Sequence, residues 1–500
     1  MEHRTGGILL SGWQEAWRGS LLHKLWAFLG LAWKESIFRS LLLAGGNFSM
    51  RAAQGSIFYR LYLGTRSLPA YWRDSATYRL VSWVGARASA QQPILAGSLF
   101  LQKAPLERLP VYLALLFPFL STPTLTILVF LGVLLFLLGR LARGERLGPF
   151  RLPYTLFLLF LAFMAMATAA SVLPRASLLS FVLWVTYGLL FAWTAQTFTF
   201  YPQALRTGLW AFLGGAFLVA VIALLQGWVG VDTSRWIDID ANPGLRTRVF
   251  SVFDDPNMLA AYLIPTQAAG LVLLLSERAV WAKGCALLLT GTVLAAQIET
   301  FSRGGWVATL VVLVILGGLW KPRYALFIWG AMALLVFGLF TLGPSAIQVR
   351  FQSLLGGGDT SIQYRFAIWQ GAWQMAKAHL WTGVGLGPAA FALTYPAYML
   401  AGTLAAHAHN IYLELWVEAG LPALLLFLVF AASMAVLLLR GSLRPLPLSQ
   451  RLAAAGALAA LVGLLVEGMV DNIWFSPRSA MALWWLLGAG LAAQEGKVPS

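Results

Sequence analysis

The chain has 500 residues, of which 59% are apolar and only 11% are charged, and its formal net charge is +16. A soluble domain is about half apolar and about a quarter charged. This composition excludes an ordinary soluble domain and predicts a protein whose surface largely faces lipid.

Long uncharged runs predict membrane-spanning helices. Leu125–Leu138 and Leu421–Leu439 carry no charged side chain. A spanning helix needs about 20 mostly apolar residues, and it satisfies its own backbone hydrogen bonds inside lipid. We therefore predict an all-α, polytopic membrane protein. Because Lys and Arg crowd cytoplasmic loops and face anionic lipid, the positive charge indicates membrane lipids as partners and no nucleic acid.

Residues 1–107 differ from the rest of the chain. Lys and Arg outnumber Asp and Glu there, and Trp residues lie among them. This mixture is typical of amphipathic helices on the cytoplasmic membrane surface. Leu21–Leu43 could form a spanning helix instead, but its four charged residues argue against that. We predict a basic, Trp-rich interfacial region at 1–107, followed by a transmembrane domain at 108–494.

About twelve transmembrane helices are expected in the second region. They lie near 108–121, 122–141, 152–172, 175–197, 205–228, 257–276, 281–300, 304–320, 324–343, 411–439, 451–470 and 479–494. The first is the shortest. The single cysteine, Cys285, lies in an apolar run, so neither a disulfide framework nor a cysteine metal site is expected.

The loop charges predict the orientation. With twelve spans, the basic turns fall on one side: Arg140–Arg151, Arg278–Lys283, Lys321–Arg323 and Arg440–Arg451. The positive-inside rule makes that side cytoplasmic. The connections 229–256 and 344–410 and the turn Thr300–Gly304 then face outward. Loops as long as 344–410 are usually functional.

One outward turn has the sequence Ser302-Arg303-Gly304-Gly305. A guanidinium at a membrane boundary needs a partner or water. Arg303 could simply extend to lipid headgroups. The adjacent glycines favour a second interpretation, in which a helix end approaches a ligand closely beside a fixed cation.

The two outward connections supply further cations. Arg365 lies in Ser361–Lys377, where apolar residues recur at helical spacing, and this pattern predicts an interfacial amphipathic helix. Arg246 and Arg248 precede Asp254-Asp255-Pro256-Asn257. Such residues could carry charge merely because they meet water. Arginine nevertheless suits phosphate, because its planar fork donates bidentate hydrogen bonds.

A histidine pair lies where the long loop enters a helix, in His407-Ala408-His409-Asn410. Histidine is the commonest general base, although a lone histidine is more often structural. The two histidines resemble part of a zinc site, but no third ligand follows at a known spacing, so no metal site is expected. Glu414 and Glu418, one turn apart on an apolar helix, need partners inside the bundle.

Taken together, these residues resemble the O-antigen ligase and polymerase superfamily of bacterial envelope proteins over roughly residues 100–490. The resemblance rests on Phe253–Tyr262 with Asn257, Ser302–Gly305, Arg365 followed by Trp369, Gly383–Gly387 and His409-Asn410. The ligase pattern places a Gly-x-x-Gly nine residues after His-Asn. Here Gly420 fits, and Ala423 replaces the second glycine.

The resemblance implies the helical bundle of lipid-linked-sugar glycosyltransferases, the GT-C type, in the bacterial cytoplasmic membrane with its active site outward. It implies an enzyme that transfers a glycan from a polyprenyl-diphosphate-linked donor to an acceptor hydroxyl on a glycolipid or glycan. No metal or other cofactor is implied. His409 would be the general base, and Arg303, Arg365 and Arg248 would bind the diphosphate. The implied supporting residues are Asn410, Ser302, Gly304, Asn257 and Glu418.

A closer likeness is to the cyanobacterial branch labelled inorganic-carbon (bicarbonate) transporters. It rests on residues 21–25, Asp255-Pro256-Asn257, Thr394-Tyr395-Pro396 and Trp484-Trp485. Two alternatives to the ligase therefore stay open, a bicarbonate transporter and a polysaccharide polymerase. Transporters usually contain related halves, and the sequence has no convincing internal repeat.

Overall fold

A computed structural model of the chain describes residues 108–145, 152–231, 247–345, 347–348, 360–400 and 402–495. The regular elements in these ranges are helical, with fourteen α-helices. They are α1 Leu109–Leu116, α2 Thr122–Ala142, α3 Leu152–Ala169, α4 Pro174–Phe200, α5 Pro202–Val229, α6 Pro256–Ser276, α7 Val280–Glu299, α8 Arg303–Trp320, α9 Ala325–Leu342, α10 Thr360–Ala378, α11 Pro388–Thr394, α12 Ile411–Leu443, α13 Leu448–Glu467 and α14 Pro477–Ala492. The predicted interfacial region 1–107 and Arg246 lie outside the described residues.

Nine of the helices in the described ranges are long and apolar enough to cross a membrane. They are α2 to α8, α12 and α13. This confirms an all-α, polytopic membrane protein. The three other predicted spans contain α1, α9 and α14, of 8, 18 and 16 residues. At 1.5 Å per residue, α1 extends only about 12 Å, so it does not cross a hydrocarbon core about 30 Å thick by itself.

Small residues in α13 place this helix at the centre of the bundle. Its sequence is rich in Ala and Gly, which lets helix backbones approach closely in a membrane. A Cβ atom at Gly456 would lie 2.6 Å from Cγ2 of Val272 in α6, and one at Gly463 would lie 3.1 Å from Cγ2 of Val312 in α8. The centre of the bundle is therefore closely packed, and α13 carries its last residue, Glu467, to one end of it.

The long helices α2 to α9 and α12 to α14 alternate in direction along the chain, so the connections between them fall at two ends of the bundle. One end contains the turns that hold Arg140, Arg278, Lys321 and Arg444. The opposite end contains the connections between α5 and α6, α7 and α8, α9 and α12, and α13 and α14. The outward segments that the sequence predicts share this second end, and we call it the loop end.

The long connection between α9 and α12 contains two helices and joins a break in α12. The amphipathic helix predicted over 361–377 is α10. At Gly420, φ is +82° and α12 changes direction. Backbone N–H groups of Val384 and Gly385 donate to the carbonyl oxygens of Val417 and Glu418, at 2.8 and 3.1 Å. The break in α12 thus supplies carbonyl oxygens that hold the glycine-rich turn 383–387 against the bundle.

Candidate functional site

His409 is held at the loop end by its backbone and by a carboxylate. It precedes Asn410, whose side chain accepts hydrogen bonds from the N–H groups of Tyr412 and Leu413 at 3.0 Å and so caps α12. The φ angle of His409 is +47°, an uncommon conformation for a residue with a side chain. Its Nδ1 lies 3.1 Å from Oδ1 of Asp471, in the connection between α13 and α14.

Asp471 also contacts the first predicted cation. Arg365, in the second turn of α10, places Nη2 at 3.6 Å from Oδ2 of Asp471. Burial would raise the pKa of the Asp471 carboxyl, but the hydrogen bond from His409 and the charge of Arg365 bring this pKa well below its usual value. Asp471 is therefore an anion at neutral pH and links His409 to Arg365.

Arg303 is the first residue of α8 and is buried. Ser302 caps this helix, because its Oγ accepts a hydrogen bond from the N–H of Gly305 at 3.3 Å. The two glycines permit close packing: a Cβ atom at Gly305 would lie 2.3 Å from Nε2 of Gln297, and one at Gly304 would lie 2.9 Å from Cγ2 of Val470. Glycine is thus required here for helix contacts, which the sequence did not indicate.

Arg248 connects the loop before α6 to the end of α7. Its Nε donates to the carbonyl oxygen of Thr300 at 3.0 Å, and its Nη2 donates to Oδ1 of Asn257 at 2.9 Å. Burial lowers the pKa of the Arg248 guanidinium to about 10, although the neighbouring Asp255 opposes this change. Arg248 remains cationic at neutral pH and orients Asn257 at the start of α6.

The three predicted arginines belong to one cluster. Arg303 and Arg365 lie close enough to Arg248 for their charges to disfavour its protonated form, and Asp255 and Asp471 lie close enough to favour it. The cluster therefore combines three guanidinium groups with two carboxylates beside His409. Three arginines from distant parts of the sequence create a cationic field that can attract a multiply charged anion.

Residues 285–428 match the O-antigen ligase family. The match includes Arg303, Arg365 and the His409-Asn410 pair, and it supports the resemblance to the O-antigen ligase superfamily over this segment. It supports, in general terms, a ligase-like function in glycan transfer. No curated protein matches the chain.

Two glutamates inside the ligase-like segment hold its backbone in place. Oε1 of Glu418 accepts a hydrogen bond from the N–H of Gly387 at 2.8 Å, and Oε2 of Glu414 accepts one from the N–H of Ala408 at 2.5 Å. Both side chains are buried. The sequence predicted that these buried carboxylates need partners, and the structure provides backbone N–H groups. The bond to Gly387 places Glu418 next to the glycine-rich turn.

A pocket opens beside His409. It is lined by Asp255, Asn257, His407, His409, Glu467 and Asp471, among others. His407 packs between the rings of His409 and Phe475, with ring centroids 4.0 and 4.5 Å away. Burial, followed by the charge of His409, lowers the pKa of His407 to about 3. His407 is therefore neutral at ordinary pH.

Asp471 and Glu467 are two acidic residues of this pocket that the sequence did not single out. Both lie around the end of α13, outside the segment that matches the ligase family. Glu467 is 1% exposed, and neither of its carboxylate oxygens has a hydrogen-bond partner among the described residues. The sequence does show that Asp471 is an acidic residue in a connection predicted to lie at the same end as His409. Nothing in the sequence indicates that the two side chains are in contact.

Proposed function

We propose that the chain transfers a glycan from a polyprenyl-diphosphate-linked donor to an acceptor hydroxyl at the outer face of the cytoplasmic membrane. The observation that carries the proposal is the contact of Asp471 with both His409 and Arg365, beside Arg248 and Arg303. This contact supports a base next to a cationic cluster, an arrangement suited to transfer from a diphosphate.

The contact with Asp471 favours the tautomer of His409 that carries its proton on Nδ1. When Nδ1–H donates to the carboxylate, the Nε2 lone pair of the neutral ring is available to accept a proton. In the proposed reaction the acceptor hydroxyl attacks the anomeric carbon of the donor and loses its proton to Nε2. The bond from that carbon to the diphosphate oxygen breaks, and the electron pair leaves with the diphosphate.

The arginines would stabilise the charge that develops on the leaving group. Preorganised cations next to a developing anion often make the largest single contribution to catalysis. Arg303 and Arg365 are proposed to contact the diphosphate. Arg248 is proposed to assist mainly by positioning, because two of its donors already hold Thr300 and Asn257.

The charge distribution supports the proposed orientation. The basic turns lie at the end of the bundle opposite the cluster, and basic turns are retained in the cytoplasm. The loop end then faces outward. A donor with its polyprenyl chain in the outer leaflet would present its diphosphate near the level of α8 and α10.

A polymerase would use the same chemistry on a different acceptor, the end of another lipid-linked glycan. The matched family favours glycan transfer over the bicarbonate transport that the cyanobacterial branch suggested. Comparison of surface glycans and bicarbonate uptake in a deletion strain tests this choice. Loss of a glycan with normal uptake supports transfer, and the opposite result supports transport.

Substitution of His409 tests the proposed base. His409→Ala should reduce transfer by about 10²- to 10⁴-fold, the typical contribution of a general base, while the protein still accumulates in the membrane. His409→Asn is a second variant, since Asn tolerates the left-handed backbone of this position. Transfer is measured in nanodiscs with EDTA, with lipid-linked glycan from the source cells as donor.

His379→Ala is the matched control, because His379 contacts Tyr398 away from the cluster. Asp471→Asn should lower kcat, because Asp471 orients His409, and it should also change the KM for the donor, because Asp471 pairs with Arg365. Transfer at the wild-type rate by both His409 variants would show that His409 is not the base.

A further inference from the structure

The structure brings together three side chains of the types that bind metal ions, although one of them is far from the other two in the sequence. His407 and His409 lie two residues apart, and Asp471 reaches them from the connection after α13. One ligand atom from each residue can be chosen so that all three lie within 4.8 Å of one another. The sequence alone offered only the two histidines, and for that reason it predicted no metal site.

These three ligands suit zinc in type, and His409 and Asp471 also suit it in spacing. Zn²⁺ takes imidazole nitrogen and carboxylate oxygen at about 2.0–2.2 Å in tetrahedral geometry, so neighbouring ligand atoms are roughly 3.3 Å apart at these bond lengths. Nδ1 of His409 and Oδ1 of Asp471 are already 3.1 Å apart. A Zn²⁺ ion would take the place of the proton between them, and metal binding releases such protons.

The surroundings supply the outer contacts of such a site. Oδ2 of Asp471 forms an ion pair with Arg365 at 3.6 Å, and such a partner on the second oxygen of a ligating carboxylate helps to orient it. Glu467 lines the same pocket with both carboxylate oxygens unpartnered among the described residues. It could accept a hydrogen bond from water in the fourth metal position. The arginine cluster repels a cation, and the carboxylates of Asp255 and Asp471 offset that repulsion.

We propose that His407, His409 and Asp471 bind one Zn²⁺ ion, and that the bound ion inhibits glycan transfer. The second part rests on the proposed function. A metal ion on Nδ1 of His409 leaves the remaining ring proton on Nε2, so Nε2 cannot accept the proton of an acceptor hydroxyl. The ion also takes the Asp471 oxygen that otherwise orients His409.

Metal binding is tested without any activity measurement. The full-length protein in detergent is stripped with EDTA, dialysed against Zn²⁺ and analysed for bound metal, and Co²⁺ is added in parallel for its absorption spectrum. Wild type and His379→Ala should retain one equivalent, whereas His407→Ala and Asp471→Asn should lose it. Thermal unfolding confirms that each variant is folded. His407→Asn serves as a smaller change if His407→Ala does not fold.

Absence of a stoichiometric ion in wild type, or equal retention by the folded His407 variant, would overturn the site. Inhibition is then measured by Zn²⁺ titration of transfer, relative to the rate of each protein in EDTA. The His407 variant should need at least about tenfold more Zn²⁺ than wild type, as for loss of a group that supports metal binding. A rate that rises with Zn²⁺ would overturn the inhibitory role. Absence of transfer in EDTA would contradict the proposed function, and the binding measurement would still decide the site.

Discussion

The geometry of a guanidinium, as well as its charge, determines what Arg303 and Arg365 can bind. A guanidinium presents a planar fork to two phosphate oxygens, whereas an ammonium group is a point charge. If both arginines contact a diphosphate, Arg303→Lys and Arg365→Lys should weaken donor binding although the charge is kept. A hydrogen bond to a charged group contributes roughly 1.5–3 kcal/mol, so each change should cost about 10- to 150-fold.

The measurement is donor binding and glycan transfer in nanodiscs without added metal. Arg444→Lys is the matched control, because Arg444 is exposed at the opposite end of the bundle. A site that only concentrates bicarbonate through its field should tolerate lysine. Donor binding and transfer at wild-type levels by both Lys variants would therefore contradict a diphosphate clamp.

The sequence offers individual candidate site residues where the relevant groups lie in one short segment. Arg303 stands out beside two glycines at a helix end, and His409 stands out before the helix cap Asn410. Asp471 lies 62 residues after His409, and their contact depends on how α12 packs against α13. No local pattern encodes that packing, so the sequence could not identify the third candidate metal ligand.

At the scale of a helix, Asp255 stabilises the start of α6 as a cap, but burial of its charge destabilises the fold. Its Oδ1 accepts the N–H of Asn257 at 2.6 Å and caps the helix. Burial first, and then the charge of Asp471, raise the pKa of Asp255 above its usual value. The folded state therefore binds a proton at this carboxyl more tightly than the unfolded state does, so ionised Asp255 destabilises the fold at neutral pH.

Asp255→Asn keeps a capping oxygen and removes the charge, so it should raise the unfolding temperature at pH 7.5. The advantage should disappear as the pH falls through the raised pKa of Asp255, because wild type then becomes protonated. Thermal unfolding in detergent at pH 7.5 and pH 4 measures the difference. Asp254→Asn, at an exposed neighbouring carboxyl, is the control. A lower unfolding temperature for Asp255→Asn at pH 7.5 would contradict this account.

Hydropathy predicted where most helices lie because lipid imposes length and composition on each spanning helix. It did not predict the break in α12. Gly420 adopts a φ of +82°, and a Cβ atom there would lie 2.2 Å from the carbonyl oxygen of Trp381. The sequence offered Gly420 and Pro422 as local signals, but the partners of the break lie in 380–385, at and just before the glycine-rich turn. The length of α1 was overestimated because apolar residues continue after it, in Phe117-Pro118-Phe119-Leu120.

At the scale of the whole molecule, three connections converge on one end of the bundle. Each contains a residue other than glycine with positive φ: Ser251, Phe301 and His409. Such conformations cost free energy and persist where surrounding structure enforces them, often at functional sites. Here they lie near Arg248, Arg303 and the candidate base. The bundle thus fixes strained connections that bring distant charges together, which is consistent with a preorganised site.

The proposed reaction requires this loop end to face outward, and cysteine labelling tests that requirement. The exposed Cys285 is first replaced by Ala. Leu404→Cys then reports on the long connection, where Leu404 is 66% exposed. Ser449→Cys reports on the exposed start of α13, next to the basic turn that follows α12. A membrane-impermeant maleimide should label position 404 in intact cells and position 449 only after permeabilisation, because basic turns stay in the cytoplasm. Labelling of both positions from one side would contradict the alternating helix directions. The reverse pattern would place His409 and the arginines in the cytoplasm, away from a donor in the outer leaflet.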